Sequence, residues 1–252
     1  MDLIIVVSVI ILGLVVGSFL NVCICRLPQE RSIVYPPSNC PKCGHNLSFV
    51  DLIPVFSYLS LRGKCRYCKG TISVRYPIVE ILTSLLFAAV FFKFGLGIDA
   101  VFHAVFVSLL IVIIFTDLET QTIHDYLSFG GIVTGILYGL YTGRIISSLI
   151  AMVIGGLFFL FVRQIGWFLY KKEAMGEGDV LLASMLGAFF GIEGMVLSIM
   201  LSFLLGAIIS LVLLGLKIKK RGEEIPFGPF MAIAALVVMF FGPTVWSWYF
   251  RL

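Results

Sequence analysis

Gly176-Glu177-Gly178-Asp179 separates two apolar runs, 146–169 and 180–192, and this short polar break decides how the chain is read. A carboxylate at the edge of a membrane span is expensive and is usually kept for a task. A second acidic cluster, Asp117-Leu118-Glu119 followed by Asp125, interrupts the apolar sequence roughly sixty residues earlier. Two acids on different spans are the minimum for a proton-sharing pair. They also fit an ion site, or ordinary interfacial residues.

Around these acids the chain is 60% hydrophobic, 13% charged and has a mean hydropathy of +1.09, which excludes an ordinary soluble domain. A span takes roughly 20 apolar residues. The runs 3–23, 77–95, 99–116, 126–141, 146–169, 180–192, 195–216 and 229–249 therefore predict an all-α polytopic membrane protein of about eight transmembrane helices. Asp2 precedes the first run and no basic n-region does, so that run reads as a retained span and not as a cleaved signal.

Basic residues set the expected orientation. With the N-terminus outside, Arg26, Arg31, Lys42, Arg62, Lys64, Arg66, Lys69 and Arg75 of segment 24–76 lie inside. Lys171, Lys172, Lys217, Lys219, Lys220 and Arg221 join them, while Lys93, Arg144 and Arg251 remain outside and Arg163 falls within a span. This imbalance follows the positive-inside rule. It places both acidic clusters on the cytoplasmic face, and the net charge of +4 then reports topology and implies no nucleic-acid partner.

Segment 24–76 is a small cytoplasmic insertion between the first span (1–23) and the remaining membrane core (77–252). It contains Cys40-Pro41-Lys42-Cys43 and Cys65-Arg66-Tyr67-Cys68, with 21 residues between the pairs. Two Cys-x-x-Cys pairs resemble the knuckles of a zinc ribbon, whose four thiolates close a tetrahedral shell around Zn²⁺. A segment this short has little core, so a structural metal is physically useful. Disulfides or a redox pair are the alternatives, and a reducing cytoplasm disfavours disulfides. His45 lies near enough to replace one ligand. Cys23 and Cys25 lack partner spacing and read as small buried residues.

An aspartyl hydrolase needs two carboxyl groups that share a proton and hold one water. Across a helix, Asp117 and Asp125 would stand roughly 12 Å apart along the axis. Glu119 points away from Asp117 at a two-residue offset. The partner of Asp117 must then come from another segment, and Asp179 is the best candidate. Gly176 and Gly178 are expected to supply unusual backbone angles and close approach of a substrate strand. Against this stand plainer readings, with Asp179 as a helix cap and Asp117 as an interfacial residue. An ion- or proton-coupled transporter built on Asp117, Glu119, Asp125 and Asp179 is the rival function. No HExxH pattern is present, and Ser18 of Gly17-Ser18-Phe19 has no basic partner, so Gly17 and Ser18 read as small packing residues.

Taken in order, the motifs resemble the bacterial type IV prepilin peptidase family, membrane aspartyl proteases of the GxGD class. The resemblance runs through Gly17-Ser18-Phe19-Leu20-Asn21-Val22, Arg26-Leu27-Pro28, the cysteine quartet and Arg75-Tyr76-Pro77-Ile78-Val79-Glu80. It continues through the Asp117–Asp125 block, Gly176 to Asp179 and Pro226-Phe227-Gly228-Pro229. It implies that Asp117 and Asp179 are the catalytic aspartates and that Cys40, Cys43, Cys65 and Cys68 bind zinc. It further implies cleavage of basic leaders from prepilins or pseudopilins after a glycine, on the cytoplasmic side of a bacterial inner membrane. N-methylation of the new N-terminus by S-adenosylmethionine is implied as well. Glu80 is expected to be polar support or a substrate contact, or to pair with Arg75. Glu119, Glu173 and Glu177 are expected to attract the leader's basic residues. Two departures from the family pattern are His124 in Ile123-His124-Asp125 and Leu181, where a lysine is common.

Overall fold

The computed structural model describes residues 3–171, 175–220 and 225–249. Helices α1 (Leu3–Arg26), α2 (Phe56–Ser60), α3 (Arg75–Phe94) and α4 (Ile98–Thr120) are followed by α5 (Asp125–Tyr141), α6 (Ile145–Tyr170), α7 (Glu177–Gly215) and α8 (Gly228–Tyr249). The protein is all-helical apart from two isolated β-bridges among the described residues. It forms two compact units, Met1–Val112 and Ile113–Leu252.

Six of the described helices are long and apolar enough to cross a membrane. The expected number was about eight, and the two differences have local causes. Helix α5 has only 17 residues. Helix α7, 39 residues in all, consists of two helices that correspond to the expected runs 180–192 and 195–216 and meet at a kink at Gly191 (φ 70°, ψ −168°). A straight helix of that length would reach nearly 60 Å, about twice the hydrocarbon thickness, so the break is what makes the length tolerable.

In the first unit, α1 packs on α3. A Cβ at Gly13 would lie 2.5 Å from Ser84 Cα, and one at Gly17 would lie 2.7 Å from Glu80 Cα. Between apolar helices in lipid there is no hydrophobic driving force, so close backbone approach through such small residues carries the association. The Asn21 side-chain amide crosses the same interface to the Tyr76 carbonyl at 3.0 Å.

The second unit is centred on α7, which packs against α5, α6 and α8. Gly131 and Gly135 of α5 face Met185 and the Ala188–Phe189 backbone, while Gly187 meets the Ala151 carbonyl of α6. Gly155 of α6 likewise faces the Ala183 carbonyl, at 2.8 Å from a would-be Cβ. The aromatic rings of Phe159, Phe203, Phe227 and Phe230 then fasten α6, α7 and the start of α8 together.

Candidate active site

Helix α4 runs past the expected end of its apolar sequence to Thr120, so Asp117 lies inside its last turn and not beyond it. Gln121 closes the helix in the left-handed region (φ 55°), its N–H donating to the Asp117 carbonyl at 2.9 Å. The chain between Asp117 and Asp125 is thus not one helix, and the premise of the 12 Å spacing does not hold. Exposure separates these acids instead: Asp117 is 5% exposed, whereas Asp125 lies open at the start of α5. Glu119 is also exposed.

Asp179 sits in the first turn of α7 and is buried. Its Oδ2 accepts the Gly176 N–H at 3.2 Å, a cap on the helix start. Asp117 Oδ2 accepts the Gly228 N–H at 3.0 Å, from the first residue of α8. The Asp117 charge acts directly on Asp179. Three helix ends thus converge on two buried carboxyl groups, each with one oxygen fixed by a backbone donor.

The glycines contribute differently from the sequence expectation. Neither Gly176 nor Gly178 has positive φ, so unusual backbone angles are not their role. Gly178 permits close approach, but of Ile123: a Cβ there would lie 2.6 Å from Ile123 Cβ. Ile123 also reaches Gly228, where a Cβ would meet Ile123 Cδ1 at 2.9 Å and Asp117 Oδ2 at 2.6 Å. Ile123 is therefore a wedge touching the backbone beside each aspartate. Sequence reading missed this wedge and the Gly228 donor. The only signal was the Pro226-Phe227-Gly228-Pro229 motif, in which Phe227 anchors among Phe159 and Phe203.

Glu177 forms an ion pair with Arg163 at 3.0 Å, which gives this basic residue of the apolar run 146–169 a local partner. Glu173 lies outside the described residues. His124 is the N-cap of α5 and makes no side-chain cap bond.

In the first unit, the four cysteine Sγ atoms all lie within 4.8 Å of one another, with Cys40 and Cys68 at 3.9 Å. A tetrahedral shell with Zn–S of about 2.3 Å needs S···S of about 3.8 Å, so this set fits Zn²⁺. The two knuckles repeat the same backbone pattern. Cys40 N–H donates to His45 O and Gly44 N–H to Cys40 O, and Cys65 and Lys69 make the matching bonds. Gly44 and Lys69 both take positive φ at the equivalent position. His45 is not part of the cysteine cluster: its ring lies tilted against Tyr67, with centroids 3.6 Å apart. Burial opposes charge on Cys40, but backbone bonds at Cys43 and Lys42 and the neighbouring thiols hold it down to about 7. At Cys43 a backbone bond at His45 favours the thiolate, yet desolvation and the Cys40 and Cys68 sulfurs outweigh it and push the thiol up to about 11.

Glu80 is buried, and its Oε2 accepts the Val55 N–H at 2.7 Å. Arg75 reaches Cys25 Sγ at 2.7 Å, and Tyr76 Oη lies 3.4 Å from that sulfur. Cys25 is thus partnered and only half-buried, unlike Cys23, which is buried as expected.

Comparison with known proteins identifies the family. The bacterial peptidase A24 N-terminal domain matches residues 11–94, and the type IV leader peptidase family matches residues 104–211. A relative from Myxococcus xanthus, named prepilin leader peptidase/N-methyltransferase, is 40% identical over 82% of this chain, which spans 63% of that relative's length. Relatives of the same name from Pseudomonas aeruginosa and Aeromonas hydrophila are 35% and 34% identical. They cover 98% and 96% of this chain, with 93% and 92% of their own lengths matched. No solved structure matches the chain significantly. These relatives do not favour the transporter alternative. With two family models covering the cysteine quartet and both buried aspartates, and relatives matched nearly end to end, the chain belongs to the type IV leader peptidase family.

Proposed function

We propose that this protein is a membrane aspartyl endopeptidase that removes the leader of a type IV prepilin or pseudopilin, with Asp117 and Asp179 as its catalytic pair. The observation that carries this reading is two buried, electrostatically coupled carboxyl groups at converging helix ends. Backbone donors occupy Oδ2 of each, which leaves Oδ1 of each for a water and the scissile carbonyl. One carboxylate takes a proton from the water as its oxygen attacks the carbonyl carbon, and the protonated partner donates to the carbonyl oxygen. Collapse of the tetrahedral intermediate breaks the C–N bond, and the amine leaves with the proton. The leader ends in a carboxylate and the mature chain begins with a free amine.

Cleavage after a glycine on the cytoplasmic side of a bacterial inner membrane agrees with the family and with the bias of Lys and Arg. Glu119 and Asp125, both exposed, supply negative charge towards the basic leader. The four cysteines hold a structural Zn²⁺. The relatives' name also motivates N-methylation, for which S-adenosylmethionine supplies an electrophilic methyl group when bound. Two surface grooves do not fit that donor. One, of about 670 Å³, is lined by Lys217, Lys219 and Lys220 with Leu211, Leu214 and Gly215, and its cations would repel a sulfonium. The other offers only Gln164 among apolar side chains. Neither is lined by an aspartate, and no residue is assigned to the methyl donor.

Detergent-purified full-length protein incubated with a full-length prepilin should yield a product lighter by the leader. An added methyl on that product would report the second reaction. Asp117→Asn and Asp179→Asn should each lower cleavage by about 10²–10⁴-fold while remaining in the membrane fraction. Undiminished processing by either variant would sink the pair.

A further inference from the structure

The segment between α1 and α3 carries large apolar side chains on its outside. Phe49 is 84% exposed, Phe56 64% and Leu59 66%, with Val50 and Leu52 exposed beside them. They lie on a 3-10 turn, Phe49–Leu52, and on α2, which pack on each other. Phe56 and Leu59, three residues apart, share one face of α2.

Val55 joins these elements in a rare turn. Its φ of 60° and ψ of −48°, with the Phe56 N–H reaching the Pro54 carbonyl, describe a γ-turn that a β-branched residue adopts only under constraint. Glu80 supplies the constraint through its 2.7 Å bond to the Val55 N–H. Glu80 is five residues into α3, or roughly 8 Å along its axis. The headgroup region of one leaflet is roughly 5–8 Å deep. The turn is therefore held level with the second turn of a membrane-spanning helix, and its flanking apolar side chains with it.

Charge identifies the surface that covers them. Segment 24–76 has eight Lys or Arg against two acids, Glu30 and Asp51. Asp51 is already engaged by Arg66, Ser48 and Tyr67. Lys42, Arg62, Lys64 and Lys69 are exposed. Such a surface attracts anionic lipid and repels a basic leader.

We propose that residues 49–61 form an interfacial membrane anchor. Their apolar side chains enter the headgroup–acyl boundary of an anionic leaflet, and the surrounding cations meet lipid phosphates. The anchor fixes the zinc segment against the bilayer surface.

The test uses the full chain in nanodiscs, with Phe49→Trp or Phe56→Trp in a background where Trp167, Trp246 and Trp248 are replaced by Phe. Lipids brominated near the glycerol end of the acyl chain should quench either indole by about twofold or more, and aqueous iodide should quench it poorly. Iodide quenching without a bromolipid effect overturns the anchor. Protection from iodide that appears only on adding prepilin also overturns it, in favour of substrate docking. The unsubstituted protein provides a second readout. Amide exchange over 49–61 should slow severalfold when phosphatidylglycerol replaces neutral lipid, and equal rates overturn the proposal. None of these measurements reads cleavage, so their failure leaves the peptidase reading standing.

Discussion

Gly228 is the residue at which chemistry and sterics meet. Its N–H fixes Asp117 Oδ2, and any Cβ would stand 2.6 Å from that same oxygen. Gly228→Ala should displace the carboxyl and cost about 100-fold in initial cleavage rate, measured by product mass. An unchanged rate would show that this contact does not position Asp117. Glu80 makes a different case, because its buried carboxylate satisfies the N–H of a strained turn. Glu80→Ala should destabilise the protein by about 1–3 kcal/mol, and Glu80→Gln by less, since an amide oxygen still accepts. Thermal unfolding in detergent, followed by circular dichroism, compares the two; equal midpoints would refute the anchoring role. Asp117 and Asp179 were legible as residues, because carboxylates are rare within apolar runs. Gly228 and Ile123 were not, because a backbone donor and an aliphatic wedge have no chemical signature of their own.

At the scale of elements, the cysteine knuckles and the helix breaks follow different rules. Knuckle spacing is local, so the four cysteines could be read directly and their sulfurs converge as the spacing implies. Asp51, between the knuckles, carried no such signal. Burial works against its charge, yet bonds from Arg66, Ser48 and Tyr67 hold its carboxyl down to about 2, from an ordinary 3.8. A carboxyl depressed in the folded state stabilises above its unfolded pKa, and that contribution fades as pH falls from about 4 through 2. The stability gap between the parent protein and Asp51→Asn should therefore be full at about pH 6 and narrowed at about pH 3. Melting curves of the two proteins at both pH values check this, and a gap that widened in acid would reverse the argument. The break in α7 was legible only as two apolar runs. The structure places it at Gly191, where φ is 70° and a Cβ would lie 2.8 Å from Ser147 Oγ.

Across the whole molecule, the arrangement of charge makes a topological prediction. Single-cysteine variants of a cysteine-free chain, labelled from either side of sealed vesicles, should react at Lys64 and Lys219 positions from the cytoplasmic side. Labelling at the Arg144 position should come from the opposite side. The reverse pattern would overturn the orientation and place the aspartates away from the prepilin leader. Sequence by itself determined the helical, membrane-spanning class and a cysteine quartet able to hold a metal, and it singled out both acids as candidates. Each rests on composition or on spacing along the chain, which lipid and thiolate chemistry read directly. Only the tertiary structure decided that Asp117 and Asp179 share a buried site and Asp125 does not. It also decided that α4 extends to Thr120, that Gly178 admits Ile123, and that Gly228 supplies a donor. Those outcomes depend on which backbones approach closely once glycine-rich helices pack, and that proximity joins residues far apart in sequence.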